Sequence, residues 1–152
     1  ISFITRSYVG NLDSLIESRG YEIYTLPKIE KNKAQKLTGY LKWLGVLQSE
    51  DARQSVQKIR NANIDLLVVD HYALDIEWES ILRSQVKSIL VIDDLANRKH
   101  DCDWLLDQNL FSNRKRYDYL VSNKTINGFD VAFLNSSNAG VSKTFDFIAK
   151  GF

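Results

Sequence analysis

Two aliphatic runs that stop against acids constrain this chain more than any average property. Leu66-Leu67-Val68-Val69 gives way to Asp70-His71-Tyr72, and Ile89-Leu90-Val91-Ile92 gives way to Asp93-Asp94. Continuous apolar runs rich in β-branched residues are the pattern of central strands buried on both faces. Such strands do not continue through polar side chains that lack partners, so each run reads as a strand with a polar cluster at its carboxyl end. In an open parallel sheet that edge is where ligands bind, because loops and helix N-termini converge there.

The remaining segments supply what such a sheet requires. Residues 1–5 read as a strand, and Leu12, Leu15 and Ile16 place an apolar face on a short helix that Gly20 ends. Residues 21–26 alternate as a second strand closed by Pro27, and the charged stretch 28–36 reads as a solvated connection. Leu37, Tyr40, Leu41 and Leu44 recur at helical spacing, as do Ala52, Val56 and Ile59, with Ser49 and Glu50-Asp51 as start signals. Residues 74–86 carry Trp78, Ile81 and Leu82 on one helical face. This alternation predicts an α/β fold, a Rossmann-like parallel sheet with helices on both faces. Toward the end, 131–134 reads as a strand and 142–150 as a helix, either a further βα unit of the same sheet or the opening of a second lobe.

Charge and composition exclude several classes of partner. A net charge of +1 gives no general attraction to nucleic acid, and Arg114-Lys115-Arg116 is too short a basic run for such a role. No apolar stretch approaches the roughly 20 residues of a membrane span, and no signal-peptide pattern opens the chain. With one cysteine, Cys102, no internal disulfide forms, so a cytoplasmic location is expected. The 152 residues contain no methionine and open directly on strand-like Ile1-Ser2-Phe3-Ile4, the expectation for a fragment of a longer protein.

The two strand ends bring Asp70, His71, Tyr72, Asp93, Asp94, Arg98 and His100 toward one region if their strands are neighbours. Singly, each residue has a plainer reading: Asp70 and Asp93 as helix caps or partners of a base, His71 and Tyr72 as loop packing. Together they favour a site. Gln108 and Asn109, after a third such run at Leu105-Leu106, offer both donors and acceptors, which suits sugar hydroxyls or acetamido groups, or simply holds a loop. Metal binding is not expected, since His100-Asp101-Cys102-Asp103 has no recognised zinc spacing. Cys102 is a poor nucleophile, because Asp101 and Asp103 raise its pKa. No phosphate-binding glycine loop is present.

In combination, "WLGVLQSEDA", "LLVVDHYALDIEWE" and "ILVIDDLANRKHDCDWLLDQN" closely resemble the N-terminal half of the UDP-2,4-diacetamido-2,4,6-trideoxy-β-L-altropyranose hydrolases of pseudaminic acid biosynthesis, over about residues 1–119. The resemblance implies one lobe of a GT-B-type architecture. It also implies cleavage of the anomeric bond by water with inversion and release of UDP, without metal or other cofactor. Tyr72 inherits the position beside the catalytic water, with Asp70 and His71 as its support and Asp94, Arg98, Gln108 and Asn109 as further substrate contacts. The family's base is a histidine on a Gly-His loop after the first strand, and this sequence has no Gly-His pair. Residues 1–122 are therefore expected to form a sugar-binding lobe lacking its first strand and that loop. Residues 123–152 lack the family's later motifs. These 152 residues alone are expected to turn over little UDP-sugar. The alternatives are a non-catalytic amino-sugar-binding module and a GT-B glycosyltransferase that delivers the sugar to an acceptor.

Overall fold

A computed structural model describes residues 1–29, 36–107 and 148–150. The strands are β1 (Ser2–Arg6), β2 (Glu22–Leu26), β3 (Ile64–Val69), β4 (Val86–Ile92), β5 (Trp104–Leu106) and β6 (Ile148–Lys150). They form one sheet in the order β2-β1-β6-β3-β4-β5, every pair parallel. The helices are α1 (Asp13–Ser18), α2 (Leu41–Leu44), α3 (Gln48–Ile59) and α4 (Ile76–Leu82), with a 3₁₀ turn over Arg83–Gln85. This is the expected α/β architecture, a parallel sheet of Rossmann-like type.

The path of the chain follows from handedness. From β1 to β2 it steps toward one edge of the sheet, and from β2 through α3 to β3 and through α4 to β4 it steps toward the other. Right-handed crossovers then put α1 on one face and α3 with α4 on the opposite face, where these two pack together. The core lies beneath α3 and α4. Ile4, Leu67, Val69, Ile89 and Val91 of the strands meet Ala52, Ile59, Trp78 and Leu82 of the helices.

Several boundaries differ from the periodicity. The helix expected over 74–86 begins only at Ile76, where the Asp75 carboxylate accepts the Glu77 amide at 2.9 Å, a cap that fixes the start. Its far end tightens into the 3₁₀ turn, and Val86 already belongs to β4. Helical spacing from Leu37 to Leu44 yields helix only over Leu41–Leu44, because Gly39, at φ +56°, takes the left-handed conformation. On α1, Leu12 and Leu15 remain 58% and 51% exposed, so the expected core-facing stripe is not buried among the described residues. Ile148–Lys150, read as a helix end, is a strand between β1 and β3. The expected strand over 131–134 and residues 142–147 lie outside the described residues. No described helix is long and apolar enough to cross a membrane.

A buried ion pair joins the sheet to its helical layer. Arg6, at the end of β1, donates from Nη2 to Asp51 Oδ2 at 2.7 Å and from Nη1 to the Pro27 carbonyl at 2.6 Å, while the Trp78 indole donates to Asp51 Oδ1 at 2.8 Å. Both charged side chains are buried. Removing one partner from such a pair strands the other charge in the core, at a cost of about 3–5 kcal/mol. Asp51→Ala is expected to lose stability on that scale in urea unfolding. By contrast Lys87→Ala, which breaks the exposed Lys87–Asp65 pair, is expected to cost less than about 1 kcal/mol.

Candidate active site

The site lies at the carboxyl edge of the sheet. β3 and β4 are direct neighbours, with Val69 opposite Val91, so Asp70-His71-Tyr72 and Asp93-Asp94 leave the sheet side by side. Across that gap the Tyr72 phenol stands close enough to the Asp94 carboxylate for the two to interact. The neighbouring Asp94 carboxylate, then desolvation and the charge of Asp70, hold the phenol above its usual pKa, so Tyr72 remains a neutral donor at physiological pH. Asp70 stands close enough to Asp94 for the charges to interact. Its carboxyl is held above the ordinary range, first by burial and then by Asp94.

Beneath this surface lies a braced polar floor. Asp93 Oδ2 accepts the Ala96 amide at 2.9 Å, and its Oδ1 pairs with Arg98 Nη1 at 2.6 Å. Arg98 also donates from Nε to the Leu74 carbonyl at 2.9 Å, which ties the loop after β4 to the loop after β3. His71 is buried, and its Nδ1 accepts the Ala73 amide at 3.0 Å, so that nitrogen carries no proton. His71 and Arg98 thus shape the two loops, whereas Asp70, Tyr72 and Asp94 stand at their partly exposed surface. His100 does not reach that surface. It is fully buried, with Nδ1 2.7 Å from Glu79 Oε1 and Nε2 4.0 Å from Asp93 Oδ2. Glu79 had no role in the sequence reading; its one signal is an acid beside the buried Trp78 on α4, within Glu77-Trp78-Glu79. Gln108 and Asn109 lie outside the described residues.

An aromatic wall completes one side. The Tyr72 ring lies 5.3 Å from that of Tyr40 and 6.1 Å from that of Trp43, and these two are 5.1 Å apart. Trp43 sits on the single-turn helix α2, which Gly45 closes at φ +76°. The positive φ favours glycine there, and a Cβ at Gly45 would also displace the side-chain ends of Ile29 and Tyr8. That same Tyr8 hydroxyl donates to the Trp43 carbonyl at 2.8 Å and fastens the turn. Among the described residues no group of three or more His, Cys, Asp or Glu side chains is placed to hold a metal ion.

Comparison with known proteins adds a distant likeness. Over 75 residues, 49% of this chain, the sequence is 27% identical to the UDP-2,4-diacetamido-2,4,6-trideoxy-beta-L-altropyranose hydrolase of Campylobacter jejuni, and the match covers 27% of that enzyme. No family model matches the chain. The partial match suggests a distantly related family.

Two outcomes follow from the electrostatics. Burial pushes the Cys102 thiol up to about 12, helped by Glu79 and by Asp103 and Asp101 against the opposing Arg83, so its direction follows the sequence expectation while burial is the larger cause. At pH 8 roughly one thiol in 10⁴ is then ionised, and labelling with a thiol reagent is expected to be slow until denaturant is added. Asp70 carries the opposite sign to a salt-bridged acid. A carboxyl whose folded pKa is raised favours the fold below the unfolded value near 3.8 and loses that contribution as pH rises through the folded value. Asp70→Asn is therefore expected to raise the thermal midpoint at pH 7, with the gain closing as pH falls below 3.8.

Proposed function

We propose that this chain is the sugar-binding lobe of a nucleotide-sugar hydrolase, with UDP-2,4-diacetamido-2,4,6-trideoxy-β-L-altropyranose as its substrate and a GT-B partner lobe for the nucleotide. The observation that carries the reading is the juxtaposition of Tyr72 with Asp70 and Asp94 where the adjacent strands β3 and β4 leave the sheet. A neutral phenol that points its O–H toward Asp94 keeps its oxygen lone pairs for a water, which it holds in one orientation. In the reaction the water oxygen bonds to the anomeric carbon and the bond to the diphosphate oxygen breaks with its electron pair, so UDP departs. The water's proton passes to a base, for which the sequence resemblance names a histidine on a Gly-His loop that these 152 residues do not contain.

The geometry also suits the direction of attack. Asp70 and Asp94 repel a diphosphate, so the leaving group occupies the far side of the sugar ring from Tyr72, the arrangement that inversion requires. The carboxylates then meet the ring's hydroxyl and amide N–H groups as acceptors.

The test is Tyr72→Phe in a complete hydrolase carrying this lobe. Loss of a contact that positions the nucleophile is expected to lower kcat about 10- to 100-fold, with KM changed less than about threefold and the thermal midpoint unaltered. UDP release, product stereochemistry and the melting curve read these separately. An unchanged kcat with a lowered midpoint returns Tyr72 to a packing role, and appearance of sugar on an added acceptor instead of free sugar marks a transferase.

A further inference from the structure

The wall formed by Tyr40, Trp43 and Tyr72 leaves aromatic ring faces open beside the polar cluster at the sheet edge. Trp43 is 52% exposed and Tyr40 is 39% exposed, yet both lie in ring contact with Tyr72, which stands beside Asp94. Tyr72 therefore joins two chemically different surfaces, apolar ring faces on one side and carboxylate acceptors on the other. The turn that presents Trp43 is closed by a left-handed glycine and fastened by Tyr8. An exposed aromatic on a built turn beside hydrogen-bond acceptors matches a ring that has an apolar face and a polar rim.

We infer that Trp43 and Tyr40 form a stacking platform for the pyranose ring, taking its C–H face and acetamido or deoxy methyl groups while Asp70 and Asp94 accept from its N–H and O–H groups. This deepens the proposed function and rests on it. Aromatic faces attract polarised C–H groups, and a deoxy, N-acetylated sugar carries more methyl surface than a fully hydroxylated one. Charge decides between the sugar and the nucleotide as occupant. The carboxylates next to the wall disfavour a diphosphate lying across it and suit a neutral ring. Selectivity for methyl-bearing amino sugars over plain hexoses then resides in α2 and the turn before it, which Tyr72 alone does not supply.

The experiment uses the 152-residue chain and three probes: free 2,4-diacetamido-2,4,6-trideoxyhexose, free glucose and UDP. Saturation-transfer NMR and titration measure each against the unaltered chain, Trp43→Ala and Trp43→Tyr. The expected result is tighter binding of the diacetamido sugar than of glucose. Trp43→Ala weakens that binding about five- to tenfold and Trp43→Tyr restores most of it, with the thermal midpoint unchanged and no measurable binding of UDP, whose site is on the partner lobe. If the unaltered chain binds the diacetamido sugar and Trp43→Ala binds it equally well, the platform is overturned and the hydrolase reading stands. If Trp43→Ala weakens UDP instead, the wall stacks on the base and the inference fails. If the unaltered chain does not bind the diacetamido sugar, the sugar-binding reading falls and the platform with it.

Discussion

A single guanidinium organises the helical layer over this sheet. Arg6 leaves β1 buried and is met by Asp51 from the first turn of α3, by Gln54 one turn later and by the Pro27 carbonyl that follows β2. The acid that balances it also accepts the indole of Trp78, the largest fully buried side chain in the core. Burial of an ion pair carries a heavy desolvation cost, offset here by the further hydrogen bonds that the Arg6 Nη atoms and both Asp51 oxygens make, while the buried Arg6 Nε has no hydrogen-bond partner among the described residues. One charged contact thus fixes β1, β2, α3 and α4 in a common frame. The start of α3 in turn sets the turn bearing Trp43 and Gly45, and Gln48 reaches forward to accept the Asp75 amide at 2.9 Å.

A second polar layer does for the loops what Arg6 does for the helices. Glu79 holds His100 and, through its other oxygen, the Asp101 amide at 2.6 Å, while Asp93 holds Arg98 and the Ala96 amide. These contacts consume the groups that make them, so the strand-end residues divide into those that build the floor and those that stand on it. Preorganisation of this kind is what lets a few side chains keep a productive geometry without being buried themselves. Asp70 is the residue through which the site costs the fold something, a charge kept where burial disfavours it.

Legibility in the sequence divided along the same line. β3 and β4 were readable because each aliphatic run ends abruptly in acids, and their adjacency brought Asp70, Tyr72 and Asp94 together as expected. Asp51 was readable only as a helix start signal, because its partner Arg6 is 45 positions away and nothing local marks a carboxylate as buried. Glu79 and His100 were hidden for the same reason, separated by 21 positions and paired only once β4 and the loop after it are in place. Helix ends at Ile76 and Leu82 depended on a cap and a 3₁₀ turn, which apolar spacing does not register. Trp43 was visible within a motif but had no role there, since its significance lies in the rings it meets.

The place of β6 has a consequence for how the fold is assembled. Among the described strands, β2 with β1 and β3 with β4 and β5 are two separate ribbons, and Ile148–Lys150 is what laces them together. Ala149 stands opposite Phe3 on one side and Val68 on the other. During synthesis both ribbons leave the ribosome well before this stitch, each with an inner edge of unmet backbone donors and acceptors, the kind of edge that recruits strands from other chains. Closure over so long a stretch of chain is slow compared with local helix formation. The Arg6–Asp51 pair ties the first ribbon to the helix that leads into the second through a contact in which the late strand has no part.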